Sequence, residues 1–116
     1  MTYTVIFSAP AEADLFAIYD YIAVRAGGAI ALRFVESIEA YCLGFAHMPE
    51  RGTKRDDLRL GLRTVGFRRH AMILFEIDRT ARRVVIHGVY YAGRSVEKVT
   101  EERTDGKFRQ AMSVLC

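Results

Sequence analysis

The sequence predicts an α+β fold, a two-layer sandwich in which a helical hairpin lies against a sheet in the order β-α-α-β-β-β. Three observations carry this expectation. Apolar residues alternate at the start of the chain and again in its second half, they recur at helical spacing in two stretches between, and glycine and proline mark the junctions. The chain has 116 residues, 51% of them hydrophobic, which is enough for one domain to bury a core without metal or disulfide staples.

The opening "YTVIF" places Tyr3, Val5 and Phe7 on one face and Thr4 and Ile6 on the other, the period of a strand. Ser8 is a capping residue, and Pro10 suits a first helical turn because its missing N–H would have no partner there. Glu12 and Asp14 follow where the helix dipole favours negative charge. Ala11, Leu15, Ile18 and Ile22 then form one stripe, and Gly27-Gly28 is expected to end the helix by taking a left-handed cap. A second stripe, Ala31, Val35, Ile38, Cys42 and Phe45, stops before Met48-Pro49, since the residue ahead of proline is pushed out of helical space. Two helices joined by glycines should fold back as an antiparallel pair. Phe16, Tyr19, Tyr21, Phe34 and Tyr41 widen their apolar surface for core packing or hairpin contact.

"PERGTKRDD", residues 49–57, has proline, glycine and charge without apolar period and is expected to be a loop. Leu58, Leu60 and Leu62 then alternate with Arg59, Gly61 and Arg63, as in a strand with one face on the core. The continuous apolar run "AMILFEI", 71–77, suits a central strand covered on both sides. "VVIHGVYY", 84–91, is another strand, rich in β-branched and aromatic residues. These three strands can pair as an antiparallel meander, with Arg68 and Arg69 at a turn, while the first strand joins through the hairpin. The tail, 96–116, is suited either to a C-terminal helix or to a mobile end.

No run approaches the roughly 18 apolar residues of a membrane span, and no secretory signal is evident, so the chain is expected in the cytoplasm. Cys42 and Cys116 lack metal-ligand spacing and the density of a disulfide framework, and both are expected as free thiols. Residues 1–50 hold two basic side chains against six acidic, and residues 51–116 hold fifteen against eight. The basic half is either a solvated surface or a face for an anionic partner, nucleic acid or an acidic protein segment.

Catalytic signals are sparse. Asp56-Asp57 are adjacent and read as loop solvation or as partners of Lys54 and Arg55. His47, His70 and His87 fall on three elements without ligand spacing, so no metal is expected. Gly61, Gly66 and Gly27-Gly28 belong to no phosphate-cradling or dinucleotide motif, so no cofactor is expected. Ribonuclease chemistry needs only an acid, a base and cations, because RNA brings its own nucleophile. Lys54, Arg63, His87, Tyr90 and Arg94 could supply them. His87 itself reads as a hydrogen-bonded core histidine or as the polar point of a recognition face, sharing strand parity with Val85, Val89 and Tyr91.

"YTVIFSAPAEADLFAIYDYIA", a second helix ending at "MPERG", then "DDLRLGLRTVGF", "ILFEID" and "RRVVIHGVYYAGRS" together resemble the ParE branch of the RelE/ParE toxin superfamily across residues 3–95. The specific part is the order and spacing of Ser8, Pro10, Ala11, Asp14 and Leu15, of Pro49 and Gly52, of Arg59 with Gly61, Leu62 and Arg63, and of the closing strand before Arg94. The resemblance implies a toxin domain over residues 1–95 with a tail at 96–116, held inactive by a cognate ParD-like antitoxin. ParE-type members poison DNA gyrase, whereas RelE-type members cut messenger RNA on the ribosome. A gapless alignment puts the RelE-type catalytic arginines at Met72 and Ala92 and its tyrosine at Lys98, so no catalytic residue is carried over. The expected activity is therefore binding, with gyrase as target and neither direct nucleic-acid nor membrane contact. The rivals are a RelE-type nuclease using Arg63, His87, Tyr90 and Arg94, or a relic that only pairs with its antitoxin. The family's antitoxin wraps the groove between helices and sheet, which implies a contact set of Arg59, Arg63, Phe67, His87, Tyr90, Arg94 and Tyr19.

Overall fold

The computed structural model describes residues 2–91. Strand β1 (Thr4–Phe7) leads into helix α1 (Ala9–Ala26), helix α2 (Gly28–Leu43) and a short 3-10 turn at Gly44–Ala46. Strands β2 (Thr53–Lys54), β3 (Leu62–Phe67), β4 (Ala71–Asp78) and β5 (Arg83–Tyr91) follow. They form one sheet in the order β1-β5-β4-β3-β2, with β1 parallel to β5 and the other pairs antiparallel. The expected α+β sandwich is the fold observed, with one additional edge strand.

Local chemistry starts α1 as the sequence suggests. The Ser8 hydroxyl accepts a hydrogen bond from the Ala11 amide at 3.2 Å, and Pro10 sits in the first turn. Ala11, Leu15, Ile18 and Ile22 are all buried, as are Ala31, Ile38, Cys42 and Phe45 of the second stripe. These pack on the sheet face that carries Ile73, Phe75, Val84, Ile86 and Val89. A single residue, Gly27, separates the helices at φ +98°, and Gly28 already begins α2. Its ψ of 156° is not that of a left-handed helical cap, so the expected cap is corrected to an extended glycine hinge. Cys42 is a buried free thiol, and burial, with Glu39 adding, pushes its pKa up to about 12.

Two expectations in the middle of the chain change. Thr53 and Lys54, within the expected loop, pair with Thr64 and Arg63. Conversely, the alternation from Leu58 to Gly61 is not a strand: this segment turns back on itself, with Leu58 N–H bonded to the Arg55 carbonyl and Leu62 N–H to that of Arg59. Asp56 accepts from the Gly61 amide at 3.1 Å, Gly61 has φ +91°, and Leu60 is 82% exposed. A side chain–backbone bond and a left-handed glycine override a three-leucine period. The turn at Arg68-Arg69 is as expected, both residues having positive φ.

Strand β4 is buried on both faces, as its composition predicts. Ile73 and Phe75 meet the helices, whereas Leu74 joins Leu62 and Tyr90 in a smaller cluster on the opposite face. The β4–β5 register slips between Leu74, paired with Gly88, and Phe75, paired with Ile86. His87 is thus an extra residue, a β-bulge. The bulge reverses parity along β5, so Val85, His87 and Tyr90 face away from the helices while Val84, Ile86, Val89 and Tyr91 face them. The expected shared face of His87 with Val89 and Tyr91 is corrected accordingly.

Candidate functional site

The bulge is held by α1. Ser8 N–H donates to the Ile86 carbonyl at 3.0 Å, the Ser8 hydroxyl lies 3.4 Å from the His87 carbonyl, and the buried Asp14 carboxylate accepts from Val89 N–H at 2.9 Å. Backbone groups that a bulge withdraws from the ladder need partners when buried, and Ser8 and Asp14 supply them. Asp14 in this role is not evident from the sequence, where it reads only as a first-turn acid.

The bulge aims His87 at Glu76 on β4. His87 Nε2 lies 2.9 Å from Glu76 Oε1, Arg59 Nη2 donates to the same oxygen at 2.7 Å, and Arg59 Nη2 is 3.4 Å from His87 Nε2. The hydrogen bond from His87, with the positive charge of Arg59 added, holds the Glu76 carboxyl below the ordinary carboxylate range, against the opposing effect of burial. His87 is 0% exposed, and Tyr90 is buried beside Leu62 and Leu74. Both support this face from beneath, so His87 matches the first of its two readings, a hydrogen-bonded core histidine.

Arg63 lies on the other face. Its register partner is Phe75, which packs against the helices, and its Nε donates to the Arg51 carbonyl at 2.9 Å. The Arg51 guanidinium in turn sits 5.4 Å from the Tyr41 ring centroid. Arg63 borders a 220 Å³ pocket at the sheet edge together with Lys54 and Arg79. Arg79 is paired with Glu50 at 3.2 Å, and this bond, reinforced by the charges of Arg63 and Lys54, lowers the Glu50 pKa. The edge therefore carries three cationic side chains beside the single carboxylate of Asp56 in the lining, with Glu50 drawn to Arg79.

The remaining expected contacts are dispersed. Phe67 packs with Phe34 and Tyr41, at centroid distances of 6.1 and 5.1 Å, under the hairpin. Tyr19 lines a groove along α1 and α2. Arg94 lies outside the described residues. The structure brings Arg59, His87 and Tyr90 to one face, sets Arg63 and Phe67 on the other, and leaves Tyr19 on the hairpin. The picture of Arg59 and Arg63 side by side on one strand is corrected, because Arg59 belongs to the turn that precedes β3.

No group of three or more histidine, cysteine or acidic side chains suited to a metal occurs among the described residues. Met72, where the RelE-type alignment calls for a catalytic arginine, packs against the Leu62, Leu74 and Tyr90 cluster.

A helical hairpin over a five-stranded sheet in the order β1-β5-β4-β3-β2 is a fold that this chain shares with solved chains of ParDE and RelBE systems. Residues 5–96 match the family described as ParE toxin of the type II toxin–antitoxin system, parDE, and the chain belongs to that family. Among solved structures it is similar to a chain of the chromosomal ParDE system of P. aeruginosa, with 24% identity over 79% of this chain and 98% of that one, at a TM-score of 0.67. It is similar also to a chain of the RelBE2 toxin–antitoxin complex of Mycobacterium tuberculosis, with 19% identity over 79% and 100%, at 0.59. A third likeness is to E. coli RelE carrying two arginine-to-alanine substitutions, in the free state, with 12% identity over 90% and 99%, at 0.62. At these identities the structures speak to the fold alone. A comparison with curated proteins finds no match.

Proposed function

We propose that this ParE-type toxin acts by binding, that it stops replication by poisoning DNA gyrase, and that a cognate ParD-like antitoxin neutralises it by covering the cationic edge and adjoining sheet. One observation carries the preference for binding over turnover: Arg63, His87 and Tyr90, the described members of the set named for a nuclease, are not gathered. Arg63 faces the helices, whereas His87 and Tyr90 are buried on the opposite face. Acid–base chemistry on a phosphodiester needs its groups within hydrogen-bond reach of one reacting centre, and these are divided by the sheet.

The antitoxin half of the reading draws on the edge pocket. Arg63 is fixed through Nε, so its terminal nitrogens are presented with little loss of side-chain freedom to a carboxylate. Lys54 stands opposite it in the register. An acidic antitoxin segment would meet both, with Phe67 and Arg59 at the margins of the contact, Arg94 close by in sequence, and His87 and Tyr90 stiffening the sheet under it. The solved ParDE and RelBE relatives are toxin–antitoxin assemblies, in keeping with such a partner.

A RelE-type nuclease is the second reading, favoured by one feature: a guanidinium, a carboxylate and an imidazole meet at Arg59, Glu76 and His87. Inducing the chain without antitoxin separates the readings. Gyrase poisoning halts DNA synthesis and raises the DNA-damage response while bulk messenger RNA stays intact. Rapid transcript cleavage at ribosome-bound sites would overturn it, and an absence of growth effect would leave a relic that only pairs with its antitoxin.

A further inference from the structure

Basic side chains collect at the end of the molecule formed by the helix hinge and the β3–β4 turn. A 390 Å³ notch between α2 and that turn is lined by Ile30, Arg33, Phe34, Ser37 and Arg68, with no acidic side chain. Arg69 and His70 follow Arg68 in the turn, and all three are exposed. Arg25, in the last turn of α1, has its guanidinium carbon 3.6 Å from the Tyr21 ring centroid. Ring contacts run from Tyr21 to Tyr91, from Tyr91 to Phe34 and His70, and from Phe34 to Phe67, so one aromatic scaffold carries the group. Among the described residues, Arg25, Arg33, Arg68 and Arg69 are in no ion pair.

The turn is strained where it presents its arginines. Arg68 and Arg69 have φ of +49° and +68°, a region that glycine and asparagine enter readily and a long side chain does not. The His70 amide donates to the Arg68 carbonyl at 2.7 Å, closing a γ-turn on Arg69 in its rarer, strained hand. Asparagine and glycine would make the easier hairpin. Among the described residues, what the fold gains from the pair is the contact of Arg68 with the Phe67 ring, at 5.0 Å. Strain retained for so little packing is of the kind that accompanies a functional surface.

We propose that this end of the molecule grips the phosphate backbone of duplex DNA, a departure from the expectation of no direct nucleic-acid contact. The Ser37 hydroxyl is turned back onto the Phe34 carbonyl at 2.6 Å, so the donors of the notch are the two guanidinium groups, each able to hold phosphate oxygens in a bidentate pair. Arg25, Arg69 and His70 extend the same charge beyond the notch. A row of cations without acids suits the repeated charge of a polyanion, whereas a single carboxylate leaves most of the row unmatched. The aromatic rings argue against a single strand. Tyr21, Phe34 and Phe67 are engaged by arginines or by other rings, so they are not the open platforms on which unpaired bases stack. Backbone contact without base stacking is how a duplex is held irrespective of sequence. Only the choice of DNA over RNA rests on the proposed gyrase target, where duplex DNA lies within reach of a bound toxin.

The test uses the purified full chain and three fluorescent probes: a DNA duplex of about two helical turns, the RNA duplex of the same sequence, and a polyglutamate peptide. Fluorescence anisotropy should show the DNA bound most tightly, with affinity falling steeply as salt rises. Arg33→Ala and Arg68→Asn should each weaken DNA binding about five- to tenfold and lower the salt slope by about one. Combining Arg68→Asn with Arg69→Gly should weaken it further without lowering the melting temperature, because the new residues suit the turn; a folding defect does not produce that pair of results. Arg82→Asn is the charge-matched control, a loss of one arginine at positive φ in the β4–β5 turn at the other end of the sheet. It should leave DNA affinity within about twofold, a remote exposed charge being largely screened. An equal loss in Arg82→Asn overturns the proposal, since the binding is then the general attraction of a basic chain, as does undiminished affinity in the double variant. Tighter binding of polyglutamate gives the notch to an acidic protein segment instead, and tighter binding of the RNA overturns the choice of DNA. If the induced chain leaves DNA synthesis running yet shows the Arg68 dependence, the gyrase reading fails and the DNA site stands. If synthesis halts while the double variant binds DNA like wild type, the DNA site fails alone.

Discussion

Asp14 ties helix to sheet with a single buried carboxylate. It accepts from Val89 N–H just beyond the bulge. Asp14→Ala should cost about 1–3 kcal/mol, the penalty of leaving a buried donor unpaired, measured as a lower urea midpoint with an unchanged slope. Arg63 is a residue of the opposite kind, one whose bonds place it without neutralising it. Charge reversal at Arg63→Glu should weaken antitoxin binding by about 2–5 kcal/mol, as for a buried pair that loses one partner, in titration calorimetry against the antitoxin. Unchanged affinity would remove Arg63 from the interface. Arg59 differs again: it is already engaged with Glu76 at 2.7 Å, so its removal disturbs the toxin's own sheet before any partner is considered.

At the scale of elements, the least predictable part is the segment from Gly52 to Phe67. Gly52, at φ +71°, lies so close to β3 that an added Cβ would fall 2.1 Å from the Thr64 carbonyl oxygen. The expected consequence of Gly52→Ala is loss of β2 pairing and about 1–3 kcal/mol of stability, seen as a lower melting temperature and faster amide exchange at Lys54. Helices were legible because four buried residues at helical spacing each agree with the others, and Ser8, Pro10 and Gly27 mark the ends. A two-residue strand has no period to read, and its existence depends on a neighbour reached only after the chain turns at Gly61. The bulge at His87 was hidden for the same reason. Which residues of β5 face the helices changes at a bulge whose backbone is bonded to Ser8 and Asp14, nearly eighty residues earlier.

For the whole molecule, charge and pH behave together. The depressed pKa of Glu76 means that its charged form stabilises the fold. That contribution is fully present above its ordinary value of 4.5 and is lost as pH falls through the lowered folded value, because protonation then favours the unfolded chain. Glu76→Gln should accordingly be less stable than wild type at neutral pH, with the difference shrinking as pH falls below 4.5, in denaturant midpoints taken across the range. Among the described residues no helix is long and apolar enough to cross a membrane. The hairpin is acidic along its outer groove and the sheet edge is rich in basic side chains, two surfaces of opposite sign.

By itself the sequence determined the elements whose information is local: the opening strand, two amphipathic helices, the first with its Ser8 cap, the doubly buried central strand, and the segregation of acidic from basic residues along the chain. It also carried enough ordered motifs to indicate the family. Only the tertiary structure decided that Arg59 and Arg63, four positions apart, serve opposite faces, that His87 turns inward to Glu76, and that β1 runs parallel to β5. Side-chain period is a property of neighbours in sequence, whereas face, register and burial depend on bonds between residues far apart. A turn residue or a bulge inverts the first without leaving any trace in it.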